Sequence, residues 1–598
     1  MRIRFYINFV RFVSNFSVLL LKAIYLSTFF FKSFNVKKVK KLNFLNLGNT
    51  TYGKMLLQNV VIIDGAKIYL PDYIYEIDTK DSFAKATNII QLWDLGGLPI
   101  HSEKSIHSFD WLYDLRSINS TISRKIAISW ILEWVARYGS GKGPGWSIEV
   151  ASKRAISLVE NTDLFEKPPF GGEEPYNFLN EKVRTILSRT LYLIRIVKPI
   201  SFSSKDQFFI KMAIFYCEYF RGAETKILGQ FIQGIGRESK RLINKHGEID
   251  SRNPEELLEF LVYLEKLRNY GRQLKVYGAA EGSFIDVSVM RAAKTLKAVR
   301  FENGRLVAAM GSDGGSEPYL NVLSSVEYPK EVIRDGIYMG FCKLRAKNVT
   351  IIADVSEPPK YDRRGTAHAG LLSFEFASGL RKIIVNCGSG HRHDSYIERQ
   401  NRSTYAHSTL ELADQSQAQF IPVWPRSLRP EDKMFRRSQK ATKVLMEENQ
   451  KEKTLISEHN CYESRFGIIH KRQFKLTFDG QNLSGSDELI YSGFKNKQTP
   501  YRLYFHLHPD VEAWHLETNK SVILKLKNGE TWLFTHKGGD LSLAESAYFG
   551  RGDINVRESK QIVVSSNKKK YRELVEWKFQ NQTSRSGNLR DIGLENIG

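Results

Sequence analysis

The chain has 598 residues, 42% of them hydrophobic and 26% charged, with a formal net charge of +23. That length excludes one compact domain and predicts two to four, and the composition excludes a disordered polymer. Four cysteines (Cys217, Cys342, Cys387 and Cys461) lie far apart with no CxxC pair, which argues against a disulfide framework and against a cysteine-held zinc. The basic excess suits an acidic partner such as nucleic acid, anionic lipid or acidic polysaccharide; a solvated basic surface is the plain alternative.

Residues 1–45 form a basic, apolar, aromatic segment. Lys22 breaks the apolar run of residues 1–41 and no small-x-small cleavage site follows, so a clean signal peptide is not expected. Two readings stay open. Residues 1–41 contact a membrane as an interfacial helix or uncleaved anchor, or they pack as a first buried helix. A periplasmic or membrane-associated location and a cytoplasmic one both remain. Residues 50–80 read as short strands joined by turns.

From about 90 to 300 the apolar spacing is helical, in 120–139, 151–165, 178–197, 206–220 and 253–274. The last segment carries its start signal in full. Asn253 is the expected N-cap, Pro254 the first helical residue, and Glu255 and Glu256 suit the positive end of the helix dipole. Successive helices of similar length predict an α/α toroid or solenoid over a domain of residues 46–300. "GSGKGPG" (139–145) lacks phosphate-loop spacing and reads as a turn.

Near residue 300 the period changes to short strands with turn residues between them: 305–315, 340–355, 371–376, 381–388, 408–414, 474–481, 501–509, 521–536 and 561–566. This predicts an antiparallel β-sandwich domain over 301–580, followed by a polar tail over 581–598. "EENQKEKT" (447–454) reads as a charged turn. In "AHAGLLSFEFASGLRKIIVNCG" (367–388) a two-residue turn at Ser378-Gly379 sets Phe374 opposite Ile383 and Glu375 opposite Lys382. His368 then shares the face of Phe374 and ends it. His407 follows in "RSTYAHST", close to Arg402 and Tyr405. One such histidine is most simply a hydrogen-bonded core residue; two, with an arginine and a tyrosine, form a polar constellation. His391 and His393 read as a solvated turn, and His506 and His508 as packing on one strand face.

The order of these segments resembles that of the heparinase II/III-like polysaccharide lyases. Their pattern runs His-x-His-Ala-Asp-x-Leu-Ser-Phe, a strand like Val-Asp-Pro-Gly, then Arg-(Ser)-Thr-x-x-His-(Asn/Ser)-Thr. This chain reads "TAHAGLLSFEFASG", "IIVNCG" and "RSTYAHST", with further likeness in "HSFDWLYDLR" and "NCYESRFGIIHKR". The resemblance implies a multidomain α and β architecture, an incomplete α/α toroid followed by an antiparallel β-sandwich. It implies β-elimination of a uronate-containing glycan, which needs a neutralised carboxylate, a base and an acid. A structural zinc is the one cofactor it allows, with His368 and His407 as ligands and Asn386 where the family has aspartate.

The usual catalytic pair is altered. Thr366 stands where the family histidine belongs, and Glu256 where the toroid tyrosine belongs. Proton transfer then falls to His246, Arg252, Glu256, Tyr405 and His407, with Arg252 and Arg402 as substrate-binding cations. The expected function is a lyase acting on an acidic polysaccharide; the alternative is a catalytically degenerate glycan-binding or cell-envelope scaffold protein. No recognised nucleic-acid-binding motif supports a specific nucleic-acid partner. The arginines and the paired histidines are expected to share one site.

Overall fold

The computed structural model describes residues 42–583 except 64–65, 71–91, 96–97, 165–173, 198–203, 277–283, 328–332, 360–365, 423–432, 437–440, 493–498, 517–519, 551–555, 567–571 and a few single positions. The expectations placed on residues 1–41 and on most of the tail lie outside the described residues. Among the described residues no helix is long and apolar enough to cross a membrane.

The chain divides into two compact units, and the division is not a single cut. One unit takes Met1–Lys245, Phe260–Arg291 and Ser316–Val326; the other takes His246–Glu259, Ala292–Gly315 and Glu327–Gly598. The first is helical. Its main helices are Trp111–Ile118, Thr121–Tyr138, Ile148–Glu160, Glu174–Val197, Ser204–Arg221 and Thr225–Leu242. Thr121–Tyr138 starts at a reciprocal cap in which Ser120 Oγ accepts from Ser123 N and Ser123 Oγ accepts from Ser120 N. One buried carboxylate, Glu160, ties several helices of this unit together. It accepts from Tyr113 at 2.5 Å, Tyr270 at 2.7 Å, Lys266 Nζ at 2.7 Å and the Tyr216 hydroxyl. With Glu160 and Lys266 fully buried, this satisfied network pins the helices where an unpaired charge would unfold them.

Residues 50–57 correct the strand expectation for this region. They form the helix Thr50–Leu57, because Asn49 Oδ1 caps the amides of Thr51 and Tyr52, and only then comes a hairpin of Val60–Ile63 with Ala66–Tyr69.

The second unit is a sandwich of two antiparallel sheets. In spatial order one sheet runs Ala441–Glu448, Glu452–His459, Ile468–Thr477, Asn482–Tyr491, Arg572–Asn581, Thr531–Lys537, Ser521–Leu526 and Val511–Leu516. The other runs Asp540–Tyr548, Arg557–Ser566, Tyr501–Leu507, Arg381–Val385, Phe374–Ser378, Val349–Asp354, Phe341–Ala346 and Gly336–Tyr338, with Leu410–Leu412 also on Tyr501–Leu507. Aromatic side chains fill the space between them: Phe374 stacks on Trp577 at 5.7 Å and meets Phe474 edge-on at 5.1 Å, and Phe534 meets Phe579 at 4.9 Å.

Three local expectations change. Residues 305–315 are irregular, with one turn at 310–311 and a single bridge from Leu306 to Arg300, not a strand. The charged stretch 447–454 is mostly strand, and only residues 449–451 make its turn. The 367–388 hairpin turns one residue later than expected, with Ser378 paired to Arg381 and a bulge after Phe376. Gly379 takes φ +50, as the first position of a tight hairpin turn demands, and the exposed Leu380 follows it. Ser378 is thereby kept in the ladder, its hydroxyl held by Asn348 and Glu530. The Glu375–Lys382 ion pair still forms, at 2.9 Å, across the bulge.

Candidate functional site

The expected site residues fall on two loops of the sheet unit. The first loop precedes the helix Pro254–Gln273. Asn253 Oδ1 accepts from the amides of Glu255 and Glu256 at 2.9 and 3.2 Å, so the cap read from the sequence is made. Arg252 sits at φ +57 and is buried. Its guanidinium donates to Met339 O, Gly340 O, Ser356 O and Glu357 O, and to Asp354 Oδ1 at 2.5 Å, with the Phe341 ring 4.8 Å away. A side chain on Gly340 would meet Arg252 Nε at 2.6 Å, so the guanidinium occupies space only glycine leaves. Five acceptors saturate this arginine; it binds its own backbone. Glu256 accepts from Ser251 Oγ at 2.5 Å, and Glu248 accepts from Met339 N. His246 is exposed, and its carbonyl takes the Thr295 hydroxyl at 3.1 Å.

The second loop carries the histidines. His368 Nδ1 and His407 Nε2 are 3.0 Å apart with rings perpendicular, and both residues are buried, at 4% and 2% exposure. His407 Nδ1–H donates to Ser403 O at 2.7 Å, which leaves Nε2 as acceptor and makes His368 the donor. Burial is the main reason both imidazoles are held neutral; it lowers His407 to about 4 and His368 well below its ordinary value, with each other's and Arg402's charge adding to the effect on His368. Arg402 donates through Nε to Ala367 O at 2.9 Å, and its own carbonyl accepts from Ala369 N. Tyr405 is the accessible member, 38% exposed, with its hydroxyl on Gln400.

Both loops approach one point. A Cβ built on Gly311 would lie 3.1 Å from Asn253 Nδ2 and 3.1 Å from Thr366 Cβ, two residues before His368. The capping loop and the histidine loop therefore meet within the sheet unit. His246 does not join them.

The histidine pair does not fit a zinc ion. A structural zinc takes four ligands, with histidine nitrogens about 2.0–2.1 Å from the metal. Here the two facing nitrogens are spent on each other. Asn386 is engaged elsewhere, donating to Ala308 O and accepting from Ser408 N. Among the described residues no three His, Cys, Asp or Glu side chains converge as a metal site.

Two clusters escaped the sequence reading. Asp313 accepts from Ser389 N and Ser389 Oγ, both at 2.8 Å, and His391 Nδ1 lies 3.4 Å from Asp313 Oδ2. The amide of Asp313 donates to Glu255 at 2.7 Å, which joins this cluster to the capping loop. The His391 side chain keeps 21% exposure, so it is an accessible imidazole beside a carboxylate. Deeper, Asp487 accepts from His470 Nε2 at 2.7 Å, Arg472 Nε at 2.7 Å and Trp577 Nε1 at 2.8 Å. His459 lies 3.2 Å from His470 and accepts from Cys461 N through Nδ1. Burial works against the Asp487 charge, but Arg472 and His470 outweigh it and lower Asp487 to about 2. Arg472 also donates to Leu372 O and Ser408 O, which anchors the histidine loop to the sheet.

Residues 329–578 match the family described as heparinase II/III-like, C-terminal. FtsZ-localized protein C of Caulobacter vibrioides is 20% identical over 471 residues, covering 77% of this chain and 78% of that protein. The crystal structure of heparinase III superposes with a TM-score of 0.65 at 12% identity, over 95% of this chain and 89% of the other. That of the heparan sulfate lyase HepC from Pedobacter heparinus gives 0.51 at 14% identity, over 89% and 82%. The helical unit and the paired sheets thus share the incomplete α/α toroid and β-sandwich fold of heparinase III, and residues 329–578 are similar to the heparinase II/III-like C-terminal domain.

Proposed function

We propose that the chain binds an acidic polysaccharide on a polysaccharide-lyase fold, and that its family-type acid/base set serves structure rather than elimination. The observation that carries this reading is the state of the expected catalytic groups. His407 and His368 are buried, neutral and bonded to one another, while Arg252 is spent on five acceptors. A base must reach the proton it removes, and these groups reach only the protein. The acidic ligand is supported by the net charge of +23 and by the fold shared with heparinase III and a heparan sulfate lyase. A relative named for its localisation to FtsZ favours an interaction role.

One observation favours a second reading, a divergent lyase. His391 stands accessible beside Asp313 and Ser389, and a carboxylate-oriented imidazole is a competent proton-transfer group. Tyr405 is the remaining accessible group among the expected catalytic residues near the histidine loop. The deciding experiment incubates the full chain with heparan-type and other uronate polymers. It follows both binding and the ultraviolet absorbance of an unsaturated sugar product. Binding without product supports the first reading. Product that vanishes in His391→Ala, with the fold intact, replaces it by the second, and absence of both binding and product refutes both.

A further inference from the structure

Away from the two loops, the sheet unit holds a pocket of about 280 Å³ where the Gly379-Leu380 turn, Lys527 and the ends of Asp540–Tyr548 and Arg557–Ser566 come together. Five cations and two carboxylates line it, and both carboxylates already have partners. Asp510 pairs with Lys527 at 2.6 Å and Arg557 at 2.8 Å, while Asp313 accepts twice from Ser389 and has His391 Nδ1 3.4 Å away. What faces the space is an excess of donors. The Arg381 side chain is exposed and makes no hydrogen bond or ion pair among the described residues. Arg305 uses one nitrogen on Gly315 O, and Lys527 one of three protons. His508 accepts from Asp510 N at Nδ1, so its remaining proton sits on Nε2. The Tyr548 ring packs against His508 at 5.3 Å, and its hydroxyl has no hydrogen-bond partner among the described residues. Burial and the nearby Glu375 and Asp313 keep that hydroxyl protonated.

We infer that this pocket binds the oxyanion of an acidic sugar, a carboxylate or sulfate, held by Arg381, Arg305 and Lys527 with His508 and Tyr548 donating. A pocket with five cations against two engaged carboxylates selects an anion. Its volume lies just under the ~300–1,000 Å³ of drug-sized sites, which suits one charged sugar unit rather than a stretch of polymer. The inference rests on the proposed glycan reading for the source of the anion; the oxyanion chemistry stands on the pocket itself.

Isothermal titration of the full chain with a heparan-type hexasaccharide and, separately, with inorganic sulfate tests it. Arg381→Glu reverses one exposed charge on a turn, and Tyr548→Phe removes one hydroxyl; circular dichroism and melting check that both fold. The expected result is hexasaccharide affinity at least tenfold weaker in Arg381→Glu and at least threefold weaker in Tyr548→Phe. Hexasaccharide binding that stays within twofold of wild type in both variants overturns the pocket and leaves the glycan reading standing. Sulfate binding that depends on Arg381, without hexasaccharide binding, supports the anion pocket and removes the sugar as its source. A wild-type chain that binds neither probe overturns the inference.

Discussion

Acid should unfold the sheet unit well before it discharges the carboxylates. Three of its imidazoles, on His407, His506 and His508, are lowered by burial to about 4, and His368, His459 and His470 are lowered as well. A free imidazole titrates near 6.5, so in the window between 6.5 and 4 the unfolded chain holds protons that the folded one refuses. The contribution to stability is therefore complete above pH 6.5 and is lost as pH falls toward 4. Each group shifted from about 6.5 to about 4 costs about 2 kcal/mol on going from pH 7.5 to pH 5, hence about 6 kcal/mol for the three. That is comparable to the whole stability of a domain, roughly 5–15 kcal/mol. Asp487 and Asp510, lowered to about 2, stay ionised across the window and do not blur it. Burial raises Asp354 and Glu411 within the sheet unit, which offsets part of this loss, and Asp114 of the helical unit, raised by burial to about 7, has the same opposite sign, so the two units are read apart. Hydrogen-exchange mass spectrometry in urea does this, following peptides of Phe374–Ser378 and Tyr501–Leu507 at pH 7.5 and pH 5. Opening free energies should fall by several kcal/mol, and His508→Gln should remove about one proton's share of the slope. Equal opening energies at the two pH values would refute the reasoning, because the imidazoles would then be charged or solvated in the folded state.

Arg252→Ala should cost about 3–5 kcal/mol, since it leaves Asp354 buried without its cation and takes a donor from four carbonyls, of which Gly340 O keeps Val355 N; the urea midpoint of the sheet unit reads this. Asn253→Ala removes the cap of Pro254–Gln273 and should cost about 1 kcal/mol by the same assay, with Asn253→Ser recovering most of it. Gly370→Ala places a Cβ 2.5 Å from the His407 ring and should cost about 1–3 kcal/mol while shifting the imidazole resonances of both His368 and His407 in NMR spectra. An unchanged spectrum would show that the ring is not held where the His368 hydrogen bond requires.

What the sequence made legible was local chemistry. Asn-Pro-Glu-Glu announces the helix at Pro254 because cap, ring and dipole act within one turn. Helical and alternating periods separated the two kinds of domain for the same reason. The hairpin was legible as a hairpin, but its register was not: Gly379 can occupy either turn position, and Asn348 and Glu530, which hold Ser378, lie 30 and 152 residues away. The surroundings of Arg252 were hidden for a like reason. A basic residue in a family-like segment reads as a substrate clamp from the sequence, which does not show its five acceptors 87 to 105 residues downstream. The pairing of His368 with His407 was reached through their strand-mouth positions and the family pattern, whereas its closure against metal depended on where Asn386 and Ser403 point.

The deep network around Asp487 could have been found. Along Ile468–Thr477 the inward residues are Ile468, His470, Arg472, Phe474 and Leu476, every second position without a break. A histidine and an arginine held in an apolar register must either unfold the strand or meet a buried acid, because neither can be left unpaired in a core. The partner was equally exposed to that logic: Asp487 falls in the middle of "LSGSDELIY", on the neighbouring strand and directly opposite Arg472. Charge in an inward register thus points to a buried ion pair from alternation alone, with no motif required. The same alternation explains why this family-like strand keeps its basic character where no ligand reaches: Arg472 and Asp487 hold Leu372 and Ser408, and through them the loop on which His368 and His407 stand.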